Sequence, residues 1–137
     1  MKGPWPEAVA ECKISDLRAL SFSTRKAEYL IALSEKVASK TFDLEGLRDR
    51  ANEEVIADLT SLRGFGRWSA EYLISRGLGR SEVFAADDLG IQTLVGKYLG
   101  PGRRVTAEEC KKIMKPWGNY KRWVVFYLFC ASRLKLI

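Results

Sequence analysis

Apolar residues recur at three- and four-residue intervals along most of the chain, and no alternating apolar–polar run bounded by turns interrupts them. Ala27, Leu30, Ile31, Ser34, Val37 and Ala38 share one helical face, with Arg25, Lys26, Glu28, Glu35 and Lys36 off it and Ser23 placed as the cap. Before this helix, Met1–Pro6 reads as an extended lead-in set by two prolines. A short helical piece follows from Glu7 to about Cys12, and another capped by Ser15 carries Leu17 and Leu20 inward. Asp43 is placed to cap a short helix holding Leu44 and Leu47. Asn52, followed by Glu53 and Glu54, then caps a helix running to about Ser61. Helical spacing resumes over Trp68–Gly77 and again over Leu89, Ile91, Leu94, Val95 and Leu99, closed by Gly100-Pro101-Gly102. Thr106 to Glu109 is a capping-box pattern for a helix that Lys115-Pro116 ends. The last helix, from about Tyr120 to Leu134, has few polar breaks and is expected to be buried on most sides, with Trp123 and Phe129 in the core. The pattern predicts an all-α fold, a compact orthogonal helix bundle, as a single domain over residues 1–137.

Between two of these helices lies Leu62-Arg63-Gly64-Phe65-Gly66-Arg67-Trp68-Ser69-Ala70. Two glycines around one apolar residue suit a tight turn with unusual backbone angles or close approach by a bulky partner. The second helix then begins with backbone N–H groups that have no partner inside it, which is an anion site fitted to a phosphate.

Charge sharpens this picture. The net charge is +6, yet up to Leu62 there are nine Lys/Arg against eleven Asp/Glu, and from Arg63 onward fourteen against six. A polyanion partner for the second half is the natural reading, against the plainer one of a basic but otherwise ordinary surface. The chain has no histidine, so imidazole bases, Ser-His-Asp triads and His metal ligands are excluded and carboxylates must do any acid–base work. Cys12, Cys110 and Cys130 lie far apart, which suggests neither a disulfide framework nor a zinc site and fits a reduced, cytoplasmic setting. No apolar run reaches the length of a membrane span.

The segment Leu62–Ala70 resembles the helix-hairpin-helix motif of the DNA glycosylase superfamily that includes endonuclease III. Asp88 stands where that family places the Asp needed to cut the glycosidic bond, within Phe84-Ala-Ala-Asp-Asp-Leu-Gly90. The Trp-Ser-Ala and Asp-Asp pairs are most similar to the 3-methyladenine DNA glycosylase II branch. Phe22 to Leu30 and Lys115 to Leu128 also resemble family segments, although Ser21 stands where glycine is usual and Phe126 where tryptophan is common. The resemblance implies a monofunctional hydrolase that removes alkylated purines from damaged double-stranded DNA, because bifunctional relatives carry a lysine at the position of Trp68. It further implies phosphate contacts at Arg63, Gly64, Gly66, Arg67 and Ser69, and a monovalent or divalent cation on the main-chain carbonyls of Thr60, Leu62 and Phe65. No cofactor is required on this reading, and the four-cysteine loop of the iron–sulfur branch is lacking. The setting would be the nucleoid.

Breaking the bond generates positive charge on the sugar, which a fixed carboxylate at Asp88 would stabilise. The plainer role for Asp88 is helix capping; with the motif match, capping or orienting is expected of Asp87 instead. An extruded base needs aromatic walls, for which Trp68, Tyr72, Phe126 and Tyr127 are the candidates, and electron-rich rings suit cationic alkylated purines. Two other readings stay open: a helix-hairpin-helix module that only holds duplex DNA, and a protein-interaction bundle. The resemblance begins at Gly3-Pro4-Trp5, in what looks like the middle of the glycosylase domain. Nothing stands in for the segment that supplies a wedge in relatives. The chain is therefore expected to be a C-terminal fragment or a truncated relative, with weak or no excision activity alone and exposed apolar surface inviting a homodimer.

Overall fold

A computed structural model describes residues 5–137, and the described residues form helices with no strand among them. The fold is all-α, as the apolar spacing predicts. The part of the expected lead-in that falls on residues 1–4 lies outside the described residues. Two compact units divide the chain, Met1–Phe65 and Gly66–Ile137.

In the first unit, α1 (Pro6–Ala10) and α2 (Ile14–Ala19) both pack on α3 (Thr24–Ala38). Ser23 caps α3 as expected, its Oγ accepting the Lys26 N–H at 3.3 Å. A 3₁₀ turn over Glu45–Asp49 follows, headed by Asp43, whose carboxylate accepts the Gly46 N–H at 2.9 Å, and then α4 (Asn52–Thr60). Leu17, Ala27, Leu47, Val55, Ile56, Leu59 and Leu62 are buried.

Three sequence expectations change here. Leu20 is 70% exposed, because α2 ends one residue before it and no longer dictates its face. Ser15 lies inside α2, and Asn52 is the first helical residue of α4, not its cap. In both helices an acidic side chain at the third position reaches back to the cap residue's N–H: Asp16 accepts from Lys13, and Glu54 accepts from Ala51, each within 2.9 Å. That bond satisfies the helix start whatever side chain the cap residue carries.

The second unit opens with α5 (Arg67–Tyr72), which runs on as a π-turn over Leu73–Gly77. Next come α6 (Leu89–Tyr98), α7 (Ala107–Met114), a 3₁₀ stretch over Lys115–Tyr120, and α8 (Lys121–Arg133). Its core joins Phe84, Ala85 and Ala86 of the loop before α6 to Ile91, Val95, Val105, Cys110 and Met114, with Val124, Val125 and Leu128 of α8 laid against it. Burying side chains the size of Val95 and Met114 stabilises by roughly 1.5–3 kcal/mol each. Burial also pushes the Cys110 thiol up to about 11, so it packs as a small apolar group.

The expectation of a last helix buried on most sides is overturned. No residue of α8 is fully buried, and Trp123 and Phe129, expected in the core, are each 43% exposed. Its apolar residues run all the way round, while only the face carrying Val124, Val125 and Leu128 meets the core cluster.

The capping box at α7 forms as predicted. Thr106 Oγ1 accepts the Glu109 N–H at 3.2 Å and Glu109 accepts the Thr106 N–H at 2.8 Å, while Arg103 donates to the other carboxylate oxygen at 2.8 Å. The Arg103 hydrogen bond, then the Thr106 N–H, hold the Glu109 carboxyl down at about 2, below its ordinary 4.5. A lowered folded-state value contributes stability that is present above about pH 4.5 and is lost as pH falls towards 2. The melting-temperature gap between wild type and Glu109→Gln is therefore expected to be widest near neutrality and to close between those two pH values; thermal melts across that range check it.

Candidate active site

The loop before α6 is fixed from within the second unit. Gln92 is buried, and its side-chain amide donates to the Ala86 carbonyl at 2.9 Å, while the small buried side chains of Ala85 and Ala86 let this strand of chain lie close to the core. The main chain is thereby held where Asp88 becomes the N-cap of α6, with Oδ1 accepting the Ile91 N–H at 3.0 Å. Its second oxygen, Oδ2, accepts the indole N–H of Trp68 at 3.1 Å. One carboxylate thus serves both as helix cap and as the acceptor for an aromatic ring twenty residues earlier. The cap expected of Asp87 falls to Asp88 instead, because Asp88 is the last residue with extended backbone angles before the helix; Asp87 is exposed.

Trp68 and Tyr72 stand one turn apart on α5 with stacked rings, centroids 5.4 Å apart and planes at 25°. Together with Asp88, Ile91 and the α8 residues Val125, Phe126 and Phe129, they line a cavity of about 560 Å³. That volume and the mainly apolar, aromatic wall are what a planar heterocycle needs. Gly90 allows the closest part of this packing: a Cβ there would lie 3.0 Å from Asp88 Oδ1 and 3.2 Å from the Phe129 ring. A side chain at position 90 would push the carboxylate or the ring aside.

Of the four aromatic residues expected in the pocket, the structure brings Trp68, Tyr72 and Phe126 together with Asp88 and leaves Tyr127 out. Tyr127 lies one helical step round α8, on an apolar groove with Trp117, Tyr120 and Trp123. Phe129, three residues after Phe126, takes the wall position instead, which is the ordinary i, i+3 relation on a helix. Three arginines that the sequence reading passed over, Arg76, Arg122 and Arg133, also line the cavity. Arg122 ties the two walls: its N–H donates to the Ser81 carbonyl at 3.0 Å and its guanidinium to the Ser75 carbonyl, in the π-turn, at 2.8 Å.

The residues expected to meet phosphate are distributed along the chain as follows. Arg63 and Gly64 are exposed at the end of the first unit, where the Phe65 N–H donates to the Leu62 carbonyl at 3.1 Å and closes the turn. Gly66 caps α5 without a side chain to offer its first N–H groups, and Ser69 is half-buried. Arg67 donates through Nε to Glu71 at 2.9 Å; the other Glu71 oxygen is buried with no hydrogen-bond partner among the described residues. Among the three carbonyls proposed for a cation, that of Leu62 already accepts one N–H and keeps its second lone pair. No helix of the described residues is long and apolar enough to cross a membrane.

Residues 1–119 match the family described as HhH-GPD superfamily base excision DNA repair protein. The chain belongs to that superfamily. Its fold is similar to that of a 3-methyladenine DNA glycosylase from Archaeoglobus fulgidus, with a TM-score of 0.84 and 34% identity over 97% of this chain and 44% of that one. It is also similar to the Schizosaccharomyces pombe 3-methyladenine DNA glycosylase Mag1, solved in complex with abasic DNA, with a TM-score of 0.82 and 31% identity over 95% of this chain and 64% of that one. A DNA-3-methyladenine glycosylase of Saccharomyces cerevisiae is 36% identical over 117 residues, 81% of this chain and 40% of that protein. The chain thus spans less than two thirds of the length of these relatives.

Proposed function

We propose that this chain carries the base-excision site of a monofunctional DNA glycosylase, hydrolysing the N-glycosidic bond of alkylated purines in double-stranded DNA. The observation that carries the reading is Asp88: a carboxylate pinned by two N–H donors at the wall of an aromatic-lined cavity large enough for a purine. Relatives named as 3-methyladenine DNA glycosylases support it. The extruded base would enter between Trp68, Tyr72, Phe126 and Phe129, where electron-rich faces favour a cationic alkylated ring. The sugar would then lie against Asp88, whose charge is fixed before the reaction and interacts most strongly with the positive charge that develops as the bond breaks. Water completes the hydrolysis, leaving an abasic site.

The phosphate contacts are assigned to the exposed N–H groups that open α5 after Gly66, with Arg63, Gly64, Arg67 and Ser69 as the neighbouring contributors. A cation on the carbonyls of Thr60, Leu62 and Phe65 would add positive charge at the turn that ends the first unit. The test is incubation with methylated duplex DNA. Free methylpurine and an abasic strand are expected, with no covalent protein–DNA adduct after borohydride, because Trp68 has no amine to form a Schiff base. An adduct, or intact DNA after prolonged incubation of a folded sample that binds it, would refute the assignment.

Self-association through α8 follows from the aromatic groove that Trp117, Tyr120, Trp123 and Tyr127 form on it, the last 65% exposed. Sedimentation at rising concentration is expected to show a dimer that Tyr127→Lys abolishes. A wild-type monomer throughout that range would refute it.

A further inference from the structure

The cavity's charges are unbalanced for the chemistry assigned to it. Asp88 is its one lining carboxylate, whereas Arg76, Arg122 and Arg133 line it as well. Three guanidiniums around one carboxylate would oppose both a cationic base and positive charge developing on the sugar. Arg122 is half-buried and committed to the fold, donating to the Ser75 carbonyl and lying over the Trp123 ring with its guanidinium carbon 4.5 Å from the centroid. Arg76 and Arg133 differ: both are exposed, and among the described residues neither has a carboxylate within ion-pair distance. Arg76 sits four residues after Tyr72 in the π-turn and Arg133 four after Phe129 at the end of α8, so each flanks one aromatic wall.

We propose that Arg76 and Arg133 form a second phosphate site, distinct from the hairpin, that takes the two phosphates on either side of the extruded nucleotide. This rests on the base-excision reading. A nucleotide swung into the cavity must bring those phosphates to its mouth, because the strand enters and leaves there and charged groups stay at the solvent edge. Each arginine offers a planar set of donors matched to phosphate oxygens. Once both are engaged, the rim is neutralised, Asp88 offsets Arg122, and the carboxylate faces the sugar without competing cations. Extrusion and activation of the site are thereby coupled: the positive rim holds back positively charged ligands until DNA supplies the anions.

The test measures binding to a duplex carrying a stable abasic nucleotide, with its flanking phosphates either natural or replaced by neutral methylphosphonates, for wild type and for Arg76→Gln/Arg133→Gln. Wild type is expected to bind the neutralised duplex roughly tenfold or more weakly. The double variant should lose that discrimination, and its plot of log affinity against log salt should be shallower by about two units. Both side chains are exposed, so the fold should be retained; circular dichroism and a thermal melt confirm it. Equal discrimination by both proteins, or none by wild type, overturns the site. Binding needs no base release, so discrimination confined to wild type upholds the phosphate site even if methylated DNA stays intact. Base release without discrimination sinks this proposal alone.

Discussion

Asp88→Asn is expected to slow base release by at least about a hundredfold while binding to an abasic duplex persists. The substitution separates the two roles that the structure gives this residue. Asn ranks with Asp as an N-cap, so the bond from the Ile91 N–H to Oδ1 can be kept and α6 can start as before. What is lost is the charge beside the sugar. The bond from Trp68 is lost too, because an Asn that offers its oxygen to Ile91 presents an NH₂ group to the indole N–H, donor against donor. Asp88→Ala should match the Asn variant in rate and be less stable by about 1 kcal/mol for want of a cap. Single-turnover base release, duplex binding and thermal melts of the two variants measure the three effects. A rate within a few-fold of wild type in Asp88→Asn would remove this residue from the chemistry.

The second large effect is expected at Gly64, and the contrast with Gly66 makes it informative. Gly64 has φ +91°, and a Cβ placed there would lie 2.2 Å from the ring of Tyr29, within the same unit. Gly64→Ala therefore combines an unfavourable backbone region, costing about 1–2 kcal/mol, with an overpacked contact costing about 1–3 kcal/mol. A loss of stability of roughly 2–5 kcal/mol is expected, readable by chemical denaturation. Tyr29→Ala in the same chain should recover only the steric part. Gly66 has φ −103° and nothing within 4 Å of a would-be Cβ, so Gly66→Ala should leave stability within about 1 kcal/mol of wild type. Its effect should fall on DNA binding, uniformly across sequences, because backbone N–H contacts to phosphate carry no base information. A Gly64→Ala protein as stable as wild type would show that the turn can be rebuilt.

Much of this was legible in the residues themselves. Local rules act over four or five positions, so Ser23 capping α3, the Thr106–Glu109 box and the glycine turn before Trp68 follow from neighbours in the sequence. The spacing of Trp68 and Asp88 was legible through the resemblance, and the structure joins them by a hydrogen bond. Local rules also failed locally: Asn52 loses the cap to Ala51 because Glu54 serves that cap's N–H, and the sequence holds both solutions.

What only tertiary structure decided concerns faces and charges. Periodicity tells which residues share a side of α8 but not which side meets the core when every side is apolar. Phe129 in the cavity, Tyr127 outside it and the exposure of Trp123 therefore depended on which face Val124, Val125 and Leu128 turned inward. Arg76, Arg122 and Arg133 span nearly sixty positions of sequence and read there as ordinary solvated charges. Electrostatic interaction depends on distance in space, and the packing that brings α8 beside the π-turn set all three along one cavity with one carboxylate.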